Sequence, residues 1–162
     1  MPITIRPGTP DDAAWLLPLS ARLHDFGPPS WRPRAEMDRA VAESIGAALL
    51  RPEEGQTVFV AEDEHGAPAG FVHLHPATDF FKHEVHTHVS DLVVAPDAEG
   101  RGVARALMDA ADGWARSLGH RVMTLNVFGG NERARGLYER LGYQTDTIRM
   151  LKLLDETGES PS

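Results

Sequence analysis

Apolar residues recur along the chain with two different periods, and proline and glycine separate the segments in which each period holds. A period of two predicts strands, and a spacing of three to four predicts helices with one buried stripe. The predicted strands are 3–7, 57–62, 69–75, 83–94, 122–127 and 147–154, and the predicted helices are 10–23, 33–50, 103–118 and 131–141. This order of strands and helices predicts a mixed α/β (α+β) fold.

The predicted elements follow one another without an internal repeat or a long linker. A chain of 162 residues is of the usual length for one domain. We therefore predict a single domain over residues 1–154. The remaining residues, 155–162, read DETGESPS and are predicted to be a disordered tail, because they contain too few apolar side chains to pack.

Charge and composition exclude several classes of protein. The 16 Lys and Arg residues are outnumbered by 24 Asp and Glu residues, and a net charge of −8 argues against a nucleic-acid partner. It favours small cationic substrates such as amines. The chain has no cysteine, which excludes disulfides and thiolate metal sites and fits a cytoplasmic location. We expect neither export nor a membrane partner, because no long apolar run is present.

The stretch DLVVAPDAEGRGVARAL joins a predicted strand to a predicted helix through Gly100 and Gly102. Unpaired amides at a helix N-terminus bind phosphate or pyrophosphate, and glycine lets the backbone approach such a ligand. The dinucleotide fingerprint does not fit, because Ala104 and Arg105 follow the second glycine. Two readings remain open at this point, a loop for another phosphate-bearing ligand and a turn that serves tight packing.

Two motifs resemble those of the GNAT superfamily of N-acetyltransferases. The segment VVAPDAEGRGVARALM is similar to the family's acyl-CoA-binding motif, and NERARGLYERLGY is similar to its second element. The resemblance covers nearly the whole chain. It implies a mixed, mostly antiparallel sheet flanked by helices, with acetyl-CoA as co-substrate.

The resemblance also implies roles for particular residues. The backbone of Leu92, Val93 and Val94 would pair with the pantetheine arm of the cofactor, with Asn131 as a further contact. Tyr138 would protonate the departing sulfur. The pyrophosphate would bind the loop formed by Gly100, Arg101, Gly102, Val103, Ala104 and Arg105. Glu99 departs from the family, which has Gln or Arg at this position, and its charge opposes a pyrophosphate.

The general base is less defined, because the family's glutamates are replaced by His88 or Ser90 on one strand and by Asn126 on the next. His88 is the candidate, acting directly or through water, since its ordinary pKa is near neutral. His86, Ser90 acting through water, and the absence of a base remain open. Regular alternation along the strand predicts one face for His86, His88, Ser90 and Leu92, and the other for Asp91. The backbone N–H of Val94 or its neighbour is the candidate oxyanion donor.

The histidine pairs His73–His75 and His86–His88 allow a second reading as ligands of zinc, copper or nickel. They also fit the lining of a polar cleft. Acidic side chains near the cleft would attract a cation, and two aromatic side chains are candidates for its apolar wall or for a homodimer contact. The acidic residues are Asp79, Glu84 and Asp91, and the aromatic ones are Phe80 and Phe81.

These motifs predict an acetyl-CoA-dependent N-acetyltransferase that acts on a primary amine of a small molecule or peptide by direct attack. The alternative is a non-catalytic acyl-CoA-binding regulatory module. Tyr138 favours the enzyme, whereas Glu99 and the missing glutamates favour the module. Substrate-side loops, which we expect at 27–34 and 76–82, carry no signature of a particular amine.

Overall fold

The computed structural model describes residues 2–154, which form one five-stranded sheet with helices on both faces. The predicted tail, 155–162, lies outside the described residues. Short 3₁₀ turns at 10–12 and 21–24 flank the first helix. The elements in chain order are β1 (Thr4–Pro7), α1 (Ala13–Ser20), α2 (Arg34–Leu50), β2 (Thr57–Glu62), β3 (Pro68–Thr78), β4 (Val85–Val94), α3 (Val103–Ser117), β5 (Met123–Leu125) and α4 (Glu132–Arg140).

The strand order in the sheet is β1-β2-β3-β4-β5. The first four strands pair antiparallel with their neighbours, and β5 pairs parallel with β4. This arrangement confirms the predicted mixed, mostly antiparallel sheet. β3 extends beyond its predicted end, to Thr78, and residues 79–84 connect it to β4. In this connection the Asp79 N–H donates to the Glu84 carbonyl over 2.9 Å. The segment 76–82 is therefore only partly the loop that the sequence predicts.

Two apolar clusters occupy the two faces of the sheet. α1 and α2 pack on one face against Phe71 and Val93, and α3 packs on the other against Val72 and Leu92. Gly70 is required where β3 and β4 approach closely, because a Cβ at this position would lie 2.5 Å from the Val93 carbonyl oxygen. The close approach fixes the register of β4, the strand on which the candidate site depends.

The last predicted strand, 147–154, is wrong. Residues 143–154 have no regular structure, and the apolar side chains of Ile148 and Met150 are 80% and 89% exposed. An alternating segment forms a strand only where a sheet edge is long enough to pair with it. The edge strand β5 spans three residues, which is too short an edge for this segment. None of the helices in residues 2–154 combines the length and the apolar character that a membrane span requires.

Candidate active site

β4 and β5 separate after a short stretch of pairing, which ends at Val89 and Leu125. The Ala95 N–H donates to the carbonyl of Ala69, which lies on the neighbouring β3, over 2.8 Å. Backbone N–H and C=O groups alternate in direction along an antiparallel strand. Those of Val93 therefore point toward β3, as those of Ala95 do, and those of Leu92 and Val94 point into the gap between β4 and β5. Two of the three residues predicted to pair with pantetheine therefore have N–H and C=O groups on the open side.

A β-bulge at Ser90 changes which side chains of β4 share a face. His73 is paired with Asp91, whereas Leu74 is paired with Val89, so Ser90 has no partner on β3. The predicted alternation, which placed Asp91 opposite His88, is wrong for this reason. Asp91 instead shares the face of His73 and His88, on the side covered by α1 and α2.

The loop before α3 owes its shape to two glycines with left-handed backbone. Gly100 has φ +75° and Gly102 has φ +81°, a region that other residues rarely adopt. A Cβ on either glycine would meet nothing within 4 Å, so the loop borders open space. Gly102 caps α3, and the first amides of that helix have no partner within it. The loop is thus shaped to present backbone N–H groups to an anion.

A cavity of about 990 Å³ connects this loop with the space beside α2 and residues 22–26. Most of the predicted cofactor-binding residues line it, together with Tyr138, Asp91 and Asn126. The cofactor-binding residues on its wall are Leu92, Val93, Val94, Gly100, Gly102, Val103, Ala104, Arg105 and Asn131. Asn131 has a structural role as well, because its Oδ1 accepts a hydrogen bond from the Ala134 N–H at the start of α4 (3.3 Å).

Tyr138 and Tyr143 pack edge to face, with ring centroids 5.8 Å apart. Burial, and then the charge of Asp91, raise the pKa of Tyr138 to about 12. The Tyr143 hydroxyl is fully buried without a hydrogen-bond partner, whereas the Tyr138 hydroxyl is not. Tyr138 is therefore protonated at neutral pH and borders the cavity, as a proton donor must.

Glu99 is bound by two arginines from opposite sides of the cavity. Its carboxylate accepts from Arg22 over 2.8 Å and forms an ion pair with Arg133 at 3.1 Å. These contacts, Arg22 first, lower the pKa of Glu99. Arg22 also donates to the carbonyl of Val94 at the open edge of β4. The charge that opposes a pyrophosphate is thus neutralised by two cations that the sequence motifs did not single out.

His88 is not among the residues that line the cavity. Its ring is 5.1 Å from that of His75, and its Nδ1 lies 2.7 Å from Oγ1 of Thr124. Burial, followed by the charges of His75 and His86, lowers the pKa of His88. The two histidine pairs lie on adjacent strands as predicted, yet residues 2–154 contain no group of three or more His, Asp or Glu side chains with metal-holding geometry.

Two aromatic rings line the cavity together with residues of α2. Phe26 stacks on Phe128 with ring centroids 5.2 Å apart, and the Arg32 guanidinium lies 5.5 Å from the Phe128 ring. Sequence reasoning missed this wall, because the two phenylalanines are far apart in the chain. Phe80 and Phe81, which it did single out, are 82% and 85% exposed on the β3–β4 turn, away from the cavity.

The model of the Acetyltransferase (GNAT) family matches residues 21–143, which include the glycine loop and α4. The chain belongs to the GNAT family. A GNAT relative of nearly equal length, the uncharacterized N-acetyltransferase YhfO of Bacillus subtilis, is 31% identical over 145 residues, covering 90% of this chain and 92% of the relative. The chain is accordingly an N-acetyltransferase, and acetyl-CoA is the co-substrate of its family.

Solved GNAT structures share the fold. A putative acetyltransferase from Pyrococcus furiosus has a TM-score of 0.75 at 23% identity, covering 94% of this chain and all of that one. An aminoglycoside N-acetyltransferase solved in complex with CoA has a TM-score of 0.68 at 20% identity, covering 96% of this chain and 95% of that one. These likenesses confirm the GNAT fold predicted from the two motifs.

Proposed function

We propose that this GNAT enzyme transfers the acetyl group of acetyl-CoA to a primary amine of a small molecule or peptide by direct attack. The observation that carries the proposal is one continuous cavity of about 990 Å³, in which the glycine loop and the open edge of β4 meet the space beside α2 and residues 22–26. One cavity borders both the cofactor loop and this space, so an amine bound there could reach the thioester directly. Bringing them together supplies a large part of the rate enhancement.

The cofactor half of the cavity has groups for two parts of acetyl-CoA. Leu92 offers its outward N–H and C=O groups to the amides of the pantetheine arm, whereas the outward carbonyl of Val94 is already bound by Arg22. The amides from Gly100 to Arg105, at the positive end of α3, suit the pyrophosphate. Asn131 borders the same region.

Two groups support the breakdown of the thioester. The Val94 N–H points into the gap, where it can donate to the oxyanion that forms as the amine adds to the carbonyl carbon. The carbon–sulfur bond then breaks, and the Tyr138 hydroxyl gives its proton to the departing sulfur. Its raised pKa, about 12, keeps this hydroxyl protonated at neutral pH until that step.

The amine must also lose a proton, and His88 is the acceptor that the sequence supplies. Its lowered pKa keeps the ring neutral at pH 7, as a base requires. His88 is not among the residues that line the cavity, so the amine would first pass its proton to water or to a side chain on the wall, from which His88 could take it up.

Two further features complete the proposal. The exposed rings of Phe80 and Phe81 support a homodimer contact on the β3–β4 turn, which sedimentation of wild type and Phe81→Ser compares directly. The cysteine-free composition fits a cytoplasmic location, which cell fractionation tests.

The test of the proposed function is acetyl-CoA binding by calorimetry, followed by thiol release from acetyl-CoA across a panel of primary alkyl amines and peptides with free amino termini. We expect saturable binding and thiol release with at least one class of amine. Binding without transfer to any member of the panel would favour the acyl-CoA-binding regulatory module instead.

A further inference from the structure

The cavity contains one carboxylate that is held by a buried histidine, with a half-buried glutamine behind it, rather than by an arginine. Asp91 lines the cavity from β4 and is 8% exposed. Its Oδ2 lies 2.9 Å from Nδ1 of His73, which is 1% exposed. The other acidic side chains on the cavity wall, Asp25 and Glu99, are paired with arginines. Asp91 is thus the carboxylate on the wall that has no cation beside it.

The hydrogen bonds behind Asp91 determine where the protons are. The Glu53 N–H donates to Oε1 of Gln56 over 2.9 Å, which fixes the orientation of the Gln56 amide. The Nε2 of that amide therefore donates to Nε2 of His73, 3.0 Å away. Since His73 accepts at Nε2, its ring carries the proton on Nδ1 and donates it to Oδ2 of Asp91. The chain of donors runs in one direction and ends on the carboxylate.

The second oxygen of Asp91 is available to a ligand. Oδ1 makes no hydrogen bond among the described residues. It is also not one of the fully buried atoms that lack a partner, so solvent or a ligand can reach it. The charge of Asp91 acts on Tyr138, on the facing α4, and on His88, on its own strand. His73 on β3 contacts it directly. The other titratable groups on the cavity wall are Arg22, His24 and Asp25 before α2, Glu99 and Arg105 around the start of α3, and Arg133 and Arg140 on α4.

We propose that Asp91 binds the substrate ammonium through Oδ1 and accepts its proton, and that Gln56 and His73 are positioning residues that orient this carboxylate. This assignment rests on the proposed function. The proton passes from the ammonium nitrogen to Oδ1, and the nitrogen lone pair then forms the bond to the thioester carbon. The carbon–sulfur bond breaks and sulfur takes the Tyr138 proton. The nitrogen, which keeps one hydrogen in the amide product, gives up its second proton through water to restore the Tyr138 hydroxyl, and Asp91 releases its proton to water in the cavity. The substrate class is a cationic primary amine.

The test compares Asp91→Asn with wild type in thiol release with the accepted amine, alongside acetyl-CoA calorimetry and thermal unfolding. We expect kcat to fall by about 10²–10⁴-fold while acetyl-CoA affinity stays within a few fold. Asp112→Asn, which removes a half-buried carboxylate on α3 outside the cavity, is the matched control and should behave as wild type.

The positioning role of His73 is tested by a measurement that would not change if His73 served only in packing. His73→Leu removes the donor to Asp91, whereas His73→Asn keeps an amide N–H near the place of Nδ1. We expect His73→Leu to lower kcat by at least tenfold and to alter the acidic limb of the pH profile, and His73→Asn to restore most of both. Equal kcat and equal pH profiles in these two variants would contradict the positioning role.

The outcomes separate this assignment from the proposed function. If wild type binds acetyl-CoA but acetylates no amine of the panel, the proposed function fails and the role of Asp91 fails with it. If wild type transfers acetyl and a folded Asp91→Asn keeps more than half of its kcat, only the role of Asp91 is overturned. Should Asp91→Asn not fold, the comparison of His73→Leu with His73→Asn decides, since both keep the carboxylate.

Discussion

The side chains of His73 and Asp91 meet across two neighbouring strands, with 2.9 Å between Nδ1 of His73 and Oδ2 of Asp91. The bulge at Ser90 makes this contact possible, because it turns Asp91 toward the face that His73 occupies. A buried carboxylate is costly without a hydrogen-bond donor, and His73 supplies one. The pair therefore keeps an acidic group inside a largely apolar sheet, next to the cavity where the amine is expected.

Tyr138→Phe separates the proposed acid from a packing role. The variant keeps the ring and removes the hydroxyl, so acetyl-CoA affinity should stay within a few fold while kcat falls by about 10²–10⁴-fold. Steady-state kinetics and calorimetry measure the two effects. The matched control is Tyr143→Phe, which removes a buried hydroxyl without a partner and should leave kcat unchanged. Full turnover in Tyr138→Phe would show that another group protonates the sulfur.

Glu99→Gln tests whether the acidic residue weakens cofactor binding. The change removes a negative charge and releases Arg22 and Arg133 from their ion pairs, so both cations become available to the pyrophosphate. We expect acetyl-CoA affinity to rise by about three- to tenfold at low salt, with a smaller gain at high salt. Calorimetry at two salt concentrations measures this.

The control for that experiment is Glu64→Gln, which removes the same charge in the β2–β3 turn and should not change affinity. A loss of affinity in Glu99→Gln would instead mean that Glu99 is needed to place the two arginines.

Asp12 links β1 to the start of the first helix. Its hydrogen bonds predict that the free energy of unfolding depends on pH. Its carboxylate accepts from Arg6 at 2.7 and 2.9 Å, and also from the Thr9 N–H and the Trp15 indole. These bonds, Arg6 first, hold the pKa of Asp12 well below its usual range. A lowered folded-state pKa adds stability that is fully present above the unfolded value, about 3.9, and is lost as pH falls below it.

Asp12→Asn should therefore lower the free energy of unfolding at neutral pH by about 1–3 kcal/mol and flatten its decline below about pH 4. Urea titrations at neutral and acidic pH measure both effects. The neighbouring Asp11→Asn is the control, because Asp11 is exposed. An unchanged acid dependence in Asp12→Asn would assign the decline to other carboxylates.

His88→Ala tests the base that the sequence favoured. Because the pKa of His88 is lowered by burial, a profile controlled by this residue would have its acidic limb below the ordinary histidine value of about 6.5. If His88 accepts the proton, the variant loses that limb and much of its kcat. His86→Ala is the comparison, since His86 also contacts Thr124, at 3.0 Å. A profile of His88→Ala equal to wild type would show that the proton reaches water without passing through His88.

Much of the fold could be predicted because glycine and proline mark where its elements end. β2 was predicted at its observed bounds, and α2 and α3 within one residue at each end. The glycine loop was predictable too, since Gly100 and Gly102 occupy backbone that few other residues adopt. The fold and the cofactor half of the cavity thus depend on local signals that a single sequence displays.

The part of the cavity proposed for the amine depends on how strands pair and which distant segments meet, and a single sequence does not show either. The bulge at Ser90 arises from how β3 and β4 meet, so strict alternation placed Asp91 on the wrong face. The wall of Phe26 and Phe128, and the two arginines on Glu99, join segments far apart in the chain. The strand expected at 147–154 failed for the same reason, because an alternating pattern does not show whether a partner edge exists.

The central claim is that the backbone before α3 binds the pyrophosphate of acetyl-CoA. Gly102→Glu places a side chain and a negative charge in the open space beside this backbone. Gly66→Glu is a matched control, because Gly66 has a similar φ of +76° and open surroundings in the β2–β3 turn, so the backbone strain is alike.

The most direct measurement is calorimetric titration of both folded variants with acetyl-CoA. The account predicts that Gly66→Glu binds like wild type and that Gly102→Glu shows no detectable binding. Wild-type affinity in a folded Gly102→Glu would contradict it.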